Sequence, residues 1–310
     1  MTQNPGKHKP NRLRAAFPRT WRWFTQLWVL AARYWYLKQS DKWYMVTLVV
    51  QTPLIAILLV AVYYGCDPYS GPLMFCLAIA ALWFGMFAAV RELVSEYGIY
   101  ERERMLGLRI DTYIFSKIPL LWALASLQCV ILVIIIYPTL ALDGTLGMSG
   151  NLWRSVKMLW ILCLTAAGGV SLGLVLSALS LLFGLATTSR TGVIASEVAM
   201  SFVPLALLPQ VILGGPFYTY DEALGVTKAL SKLTLSRWSL SALLSLEETG
   251  PRAFAKQLGM RGEGTLTSCG VIVILCLCMV TASVASMKYL ELVAKRRGPA
   301  MQAGFRAGNK

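Results

Sequence analysis

Six apolar runs, each long enough to cross a bilayer, alternate along the chain with short turns and polar segments. They predict spans at about residues 43–64, 73–90, 113–137, 156–182, 193–215 and 266–290. Ahead of the first run, Trp21, Phe24, Trp28, Ala31 and Trp35 recur at steps of three and four, with Arg22, Arg33 and Lys38 off that stripe or at its edge. This spacing predicts an amphipathic helix over 21–42 that lies in the membrane interface with its indoles at headgroup depth. Pro53 is expected to kink the first span, a break that neighbouring helices tolerate in lipid. The fourth run is rich in small residues (Gly168, Gly169, Ser171, Gly173, Ser177), which let helices approach closely. Pro204, Pro209, Gly214, Gly215 and Pro216 break the fifth, which reads as a bent or interrupted helix. Residues 217–265 form a long polar segment with short amphipathic pieces, among them the run starting at Leu235. The tails 1–20 and 293–310 are basic, and the first, rich in Pro, Asn and Arg, is expected to be disordered.

Between the second and third runs lies the polar stretch the chain is organised around. It carries Arg91, Arg102, Arg104, Arg109 and Lys117 against Glu92, Glu96, Glu101, Glu103 and Asp111. Ionised groups at mid-bilayer each cost several kcal/mol, so this stretch must leave the membrane. Its spacing remains helical: Leu93, Glu96, Tyr97, Tyr100 and Arg104 fall near one face. A charged helical segment over 91–112, held between two spans, suits docking of a cytosolic partner. A solvated loop with snorkelling charges is the alternative.

Composition agrees with a polytopic, all-α membrane protein. Of 310 residues 56% are hydrophobic, with mean hydropathy +0.59, against about 45–50% apolar in soluble domains. The formal charge of +14 does not point to nucleic acid, because the basic residues gather beside the spans. Lysines and arginines are dense before the first span, between spans two and three and after span six, and absent from the first two turns on the opposite side. Both termini and the charged stretch are therefore expected in the cytoplasm of a cell whose inner (plasma) membrane holds the chain. The long 217–265 segment, with Lys228, Lys232, Arg237, Arg252, Lys256 and Arg261, opposes this, but long loops weigh little in the rule.

Most of the seven cysteines lie inside apolar runs, and the single histidine, His8, sits in the basic tail, so no metal site is expected. Cys66 and Cys269 fall near span ends placed outside, and a disulfide between them stays open. There is no GxxxxGK[ST] run to cradle nucleotide phosphates and no HExxH, so no catalytic residue is named. Glu197, near the start of the fifth run, reads either as a proton or cation site or as a helix cap.

The run Glu96-x6-Glu103, then Gly107, then Tyr113-Ile-Phe-Ser-Lys117, resembles the coupling segment between spans two and three in the membrane domain of G-subfamily ABC transporters. Leu213-Gly214-Gly215 is similar to that family's close of span five, and Ser236-Arg237-Trp238, more weakly, to its external motif. The resemblance covers about residues 21–292. It implies a type 2 permease subunit whose helix 21–42 is the family's connecting helix and whose external segment after span five is re-entrant. Glu96, Tyr100, Arg102, Glu103, Arg104 and Gly107 would couple it to an ATPase. It further implies a substrate cavity lined by Phe84, Leu208 and Val211 and plugged by Pro216 and Phe217, where Pro216 departs from the family's leucine. About 20 residues precede the connecting helix here, so the ATPase is expected on a separate polypeptide. ATP and Mg would bind there, leaving this chain without a cofactor of its own. The expected partners are that ATPase, a second permease subunit in a homo- or heterodimer, the lipid bilayer and a small or lipid-like substrate of unknown identity. A non-transporting multi-span scaffold or channel-like protein is the competing reading, and an intramembrane enzyme a third. An ATPase co-purifying with the chain discriminates between them.

Overall fold

A computed structural model describes residues 19–40, 42–65, 70–105, 109–141, 148–186, 192–215, 217, 224–246 and 264–307. Side chains are described for all of these but 19–27, 140–141, 148–152, 184–186, 192–195 and 294–307. The described residues are helical, with no strand among them: α1 (Arg19–Ser40), α2 (Lys42–Tyr63), α3 (Gly71–Ala89), α4 (Glu92–Ser95), α5 (Tyr97–Met105), α6 (Ile110–Ala141), α7 (Met148–Ala186), α8 (Gly192–Leu213), α9 (Gly225–Lys232), α10 (Leu235–Leu244) and α11 (Thr265–Ala307). Six stretches are long and apolar enough to cross a membrane: Lys42–Tyr63, Gly71–Ser95, Ile110–Thr139, Trp153–Phe183, Ser196–Leu213 and Thr265–Val293. The chain is a multi-pass helical membrane protein, as its apolar pattern predicts.

The bundle is built around α3. Pro72 starts this helix where a missing N–H costs nothing. Most of its residues, from Leu73 to Ala89, are buried, and it packs chiefly on α7, then on α6 and α10. The contact with α7 is close because glycines meet backbone. A Cβ on Gly85 would lie 2.1 Å from the Ala166 carbonyl oxygen, one on Gly169 2.4 Å from that of Leu82, and one on Gly173 2.7 Å from that of Met86. Small residues at a crossing permit this approach in lipid, where dispersion rather than water expulsion drives association. Gly85→Val is therefore expected to force the two helices apart. Its cost is at least the roughly 1–3 kcal/mol of core overpacking, read as a lower unfolding midpoint in detergent. An unchanged midpoint would show that the crossing is not tight.

The fifth run is not interrupted at its prolines. Helix α8 continues to Leu213 through Pro204 and Pro209; in a bundle, neighbours compensate the lost backbone donors. Pro53 likewise lies inside a continuous α2. Gln128 of α6 donates from Nε2 to the Leu48 carbonyl (2.9 Å) and to Thr52 Oγ1 (3.2 Å), bracing the turn just before that proline.

The polar segment after α8 also differs from its sequence appearance. Its ten-residue α10 is about 15 Å long, half the thickness of a bilayer core. It packs among α3, α7, α8 and α11, and nearly all its side chains are buried. Its serines are satisfied inside. Ser236 Oγ donates to the Gln210 carbonyl (2.5 Å) and its N–H to Gln210 Oε1 (3.1 Å). Ser239 pairs with Thr165 at 2.6 Å, and Ser241 accepts from Ser268 at 3.2 Å. Gly214 leaves room for Phe75, whose ring a Cβ there would meet at 2.6 Å. Residues 218–223 and 247–263 lie outside the described set, as does Cys66; the thiol of Cys269 is free.

Candidate functional site: a buried charge cluster at the root of a short polar helix

At one end of the bundle α3 stops and the helix is interrupted twice. Helix α4 follows after Val90 and Arg91, and Glu96 then breaks the helix before α5. The first N–H groups of a helix lack partners within it. Here Ser177 of α7 supplies one: its Oγ accepts from the N–H of Leu93 (3.0 Å) and of Val94 (3.3 Å). This inter-helix cap fixes where α4 begins.

Fixing α4 buries Glu92, and the surrounding elements supply its partners. Lys117 of α6, 2% exposed, donates from Nζ to Glu92 Oε1 at 3.0 Å and to Glu96 Oε2 at 2.5 Å. Lys38 of α1 donates to the other Glu92 oxygen at 2.7 Å. Aromatic rings close the cluster: Lys117 Nζ stands 4.2 Å from the Tyr34 ring centroid and 5.0 Å from that of Tyr113, and Lys38 Nζ 3.9 Å from that of Tyr44. Tyr44 in turn donates to the Ala88 carbonyl at 3.1 Å. Burial, and then the neighbouring Glu92 carboxylate, push the Tyr34 phenol well above its usual range, so it stays neutral. Two ammonium groups facing two carboxylates keep the cluster balanced, the condition under which buried charges persist.

Helix α5 projects from this root and is held by long side chains. Arg33 of α1 pairs with Glu103, a bond that raises the Arg33 pKa. Tyr100, buried and with its ring centroid 4.8 Å from that of Tyr113, donates to Glu291 Oε1 of α11 at 2.8 Å. Arg104 grips the same carboxylate with Nε on Oε1 and Nη2 on Oε2 (3.2 Å). Burial, and then the bond to Glu291, push the Tyr100 phenol upward, and the Glu291 hydrogen bond raises Arg104. The opposite side, with Gly98, Ile99, Glu101, Arg102 and Met105, is exposed.

The predicted residues thus divide. Tyr100 and Arg104 come together on Glu291 while Glu96 meets Lys117, all facing into the chain, and the break at Glu96 means the three do not share one continuous helix. Arg102 is exposed, its Nε donating to the Gly98 carbonyl at 3.2 Å, and Glu103 is engaged by Arg33. Gly107 and Pro216 lie outside the described residues. Phe84 is fully enclosed in the core, whereas Leu208 and Phe217 are 57% and 69% exposed and Val211 is half-buried. Phe217 meets Phe75 edge to face at 6.3 Å. Glu197 is exposed and in the second turn of α8, so it neither caps that helix nor sits in the dry surroundings of a proton site. Sequence reasoning did not name Tyr34 or Glu291, and it named Lys38 only as an edge charge and Ser177 only as a small residue. Glu291 alone left a signal, as the one acidic residue in the basic stretch 288–310.

The comparisons with known proteins point the same way. The ABC transporter ATP-binding/permease protein Rv1747 of Mycobacterium tuberculosis is 23% identical over 177 residues, which cover 56% of this chain and 18% of that protein. The chain thus spans less than a fifth of that relative's length. The family model for the ABC-2 type transporter membrane domain matches residues 25–247. That match runs from within α1 through α10 and takes in the charge cluster, and by it the chain belongs to the ABC-2 type transporter family, as a transport permease.

Proposed function

We propose that this chain is the permease of an ATP-driven exporter and that α5 receives the motion of an ABC ATPase. The observation that carries this reading is the two-sidedness of α5. One side is tied by ion pairs to α1 and α11 and rooted in the charge cluster, and the other offers Ile99, Arg102 and Met105 to a partner. A helix that only decorated the surface would not need three anchors. The docking face is thus the outward one, and Glu96, Tyr100 and Arg104 transmit rather than dock.

Two copies would pair about a two-fold axis around a substrate pathway, each with one ATPase carrying ATP and Mg. The membrane is the cell's inner membrane, with both termini, α1 and α5 on the cytoplasmic side and α9–α10 as a re-entrant element on the far side. Phe84, Leu208, Val211, Pro216 and Phe217 would border the pathway. ATP binding biases the inward–outward equilibrium by its higher affinity for the closed ATPase pair.

Ile99→Asp combined with Met105→Asp tests the reading. Both side chains are exposed, so the chain should still insert and melt normally. Affinity for the ATPase should fall about 30-fold, as for loss of an interface anchor of about 2 kcal/mol. Undiminished ATPase capture by the double variant would sink it.

A further inference from the structure

Helix α11 carries two opposite charges one turn apart, one reaching the end of α5 and the other the start of α6. Glu291 takes Tyr100 and Arg104 in the last two turns of α5. Lys288 takes Asp111, in the first turn of α6, at 3.2 Å. Each contact suits its helix end: a cation closes the C-terminus of α5 and an anion opens the N-terminus of α6. The sixth span therefore brackets both sides of the α5–α6 corner, although it comes last in the chain.

We propose that Glu291 is a positioning residue that joins the sixth span to α5, so that displacement of α5 is carried into α11 as well as into α6. This rests on the proposed role of α5. The Glu291 contact does the joining, because its partner Tyr100 is buried and Arg104 grips both carboxylate oxygens. The Lys288–Asp111 pair, with side chains 55% and 32% exposed, is secondary. Arg33–Glu103 ties α5 to α1 by the same device, which leaves α5 suspended between the first and last helices of the bundle.

The test uses the full chain with its ATPase in lipid nanodiscs and needs no substrate. Amide hydrogen exchange is compared between the nucleotide-free and the ATP–vanadate-trapped complex. In the native protein, exchange should change in both α5 and α11. In Glu291→Gln the change should persist in α5 and shrink at least about fivefold in α11, the lower bound of ordinary site-to-site coupling. Tyr100→Phe, which keeps the ion pair, should shrink it partly, and remains informative if Glu291→Gln fails to fold. Exchanging the charges, Glu291→Arg with Arg104→Glu, should restore only part of the response, because it remakes the ion pair but leaves the Tyr100 hydroxyl without its acceptor. An α11 response that is absent from the native complex, or equal in native and Glu291→Gln, overturns the assignment. No response in native α5 instead removes the docking reading on which it rests.

Discussion

Lys117→Met is expected to destabilise the folded chain by about 3–5 kcal/mol, the usual consequence of removing one partner from a buried ion pair. The lysine is 2% exposed and is bonded to both Glu92 and Glu96. Without it Glu92, also 2% exposed, keeps only Lys38, while Glu96 loses the cation beside it. Methionine fills most of the lysine stem's volume, so the loss reports charge rather than a cavity. Lys38→Met should cost less, because that ammonium is 16% exposed and water can take its place beside Glu92. Replacing the cluster as a whole, with Lys117→Met, Glu92→Gln and Glu96→Gln together, should recover much of the stability, since a buried pair often contributes little beyond an apolar substitute of similar shape. Denaturant titration in detergent gives all these values. A Lys117→Met midpoint equal to the native one would mean that the cluster is wetter and looser than its geometry implies. The triple variant then has a second use. If stability returns while ATP-driven transport does not, the charges serve coupling and not merely folding.

Phe84→Ala carries the other large effect, about 3–5 kcal/mol, from lost burial and the cavity left behind. Phe84 is fully enclosed in the principal core. Leu208→Ala and Phe217→Ala, at exposed positions, should change stability by no more than about 0.5 kcal/mol. Any shared defect in transport among the three then separates pathway from packing. Leu208 and Phe217 would act directly, while Phe84 could meet a ligand only in a conformation that uncovers it. Native-like stability of Phe84→Ala would show that the helices around it already open widely.

The spans were legible because a bilayer imposes one rule on every crossing segment: the backbone must bond to itself and the surface must be apolar. Length and hydropathy then suffice to find them. The charged stretch was legible for the complementary reason, since lipid excludes it. The direction in which α5 faces was not. Its register depends on the break at Glu96, and its inward side is defined by Glu291, which is 191 positions away from Tyr100, and by Arg33, 70 positions before Glu103. No local spacing encodes such a partner. The burial of α10, a piece the pattern did mark as amphipathic, was hidden differently. Its serines resemble those of a solvated loop, and only Thr165, Gln210 and Ser268 on three other helices make them fit a buried position. The resemblance to the G-subfamily supplied Phe84 as a position along α3 but not its depth, which depends on how closely neighbouring helices stand.

The glycine crossing between α3 and α7 restricts how this molecule can move. Two helices whose backbones touch at Gly85, Gly169 and Gly173 cannot slide along one another, because each step would drive a Cα or side chain over a carbonyl. They turn together or not at all. Helices α2 and α8 at the margin are free of that constraint: their most apolar windows are only 17% and 22% buried, against 78% for α3. Any opening of a passage is therefore expected as a hinged swing of outer helices against this spine rather than a shear through the centre. The ion-paired arms to α1 and α11 are placed where such a swing would be pulled.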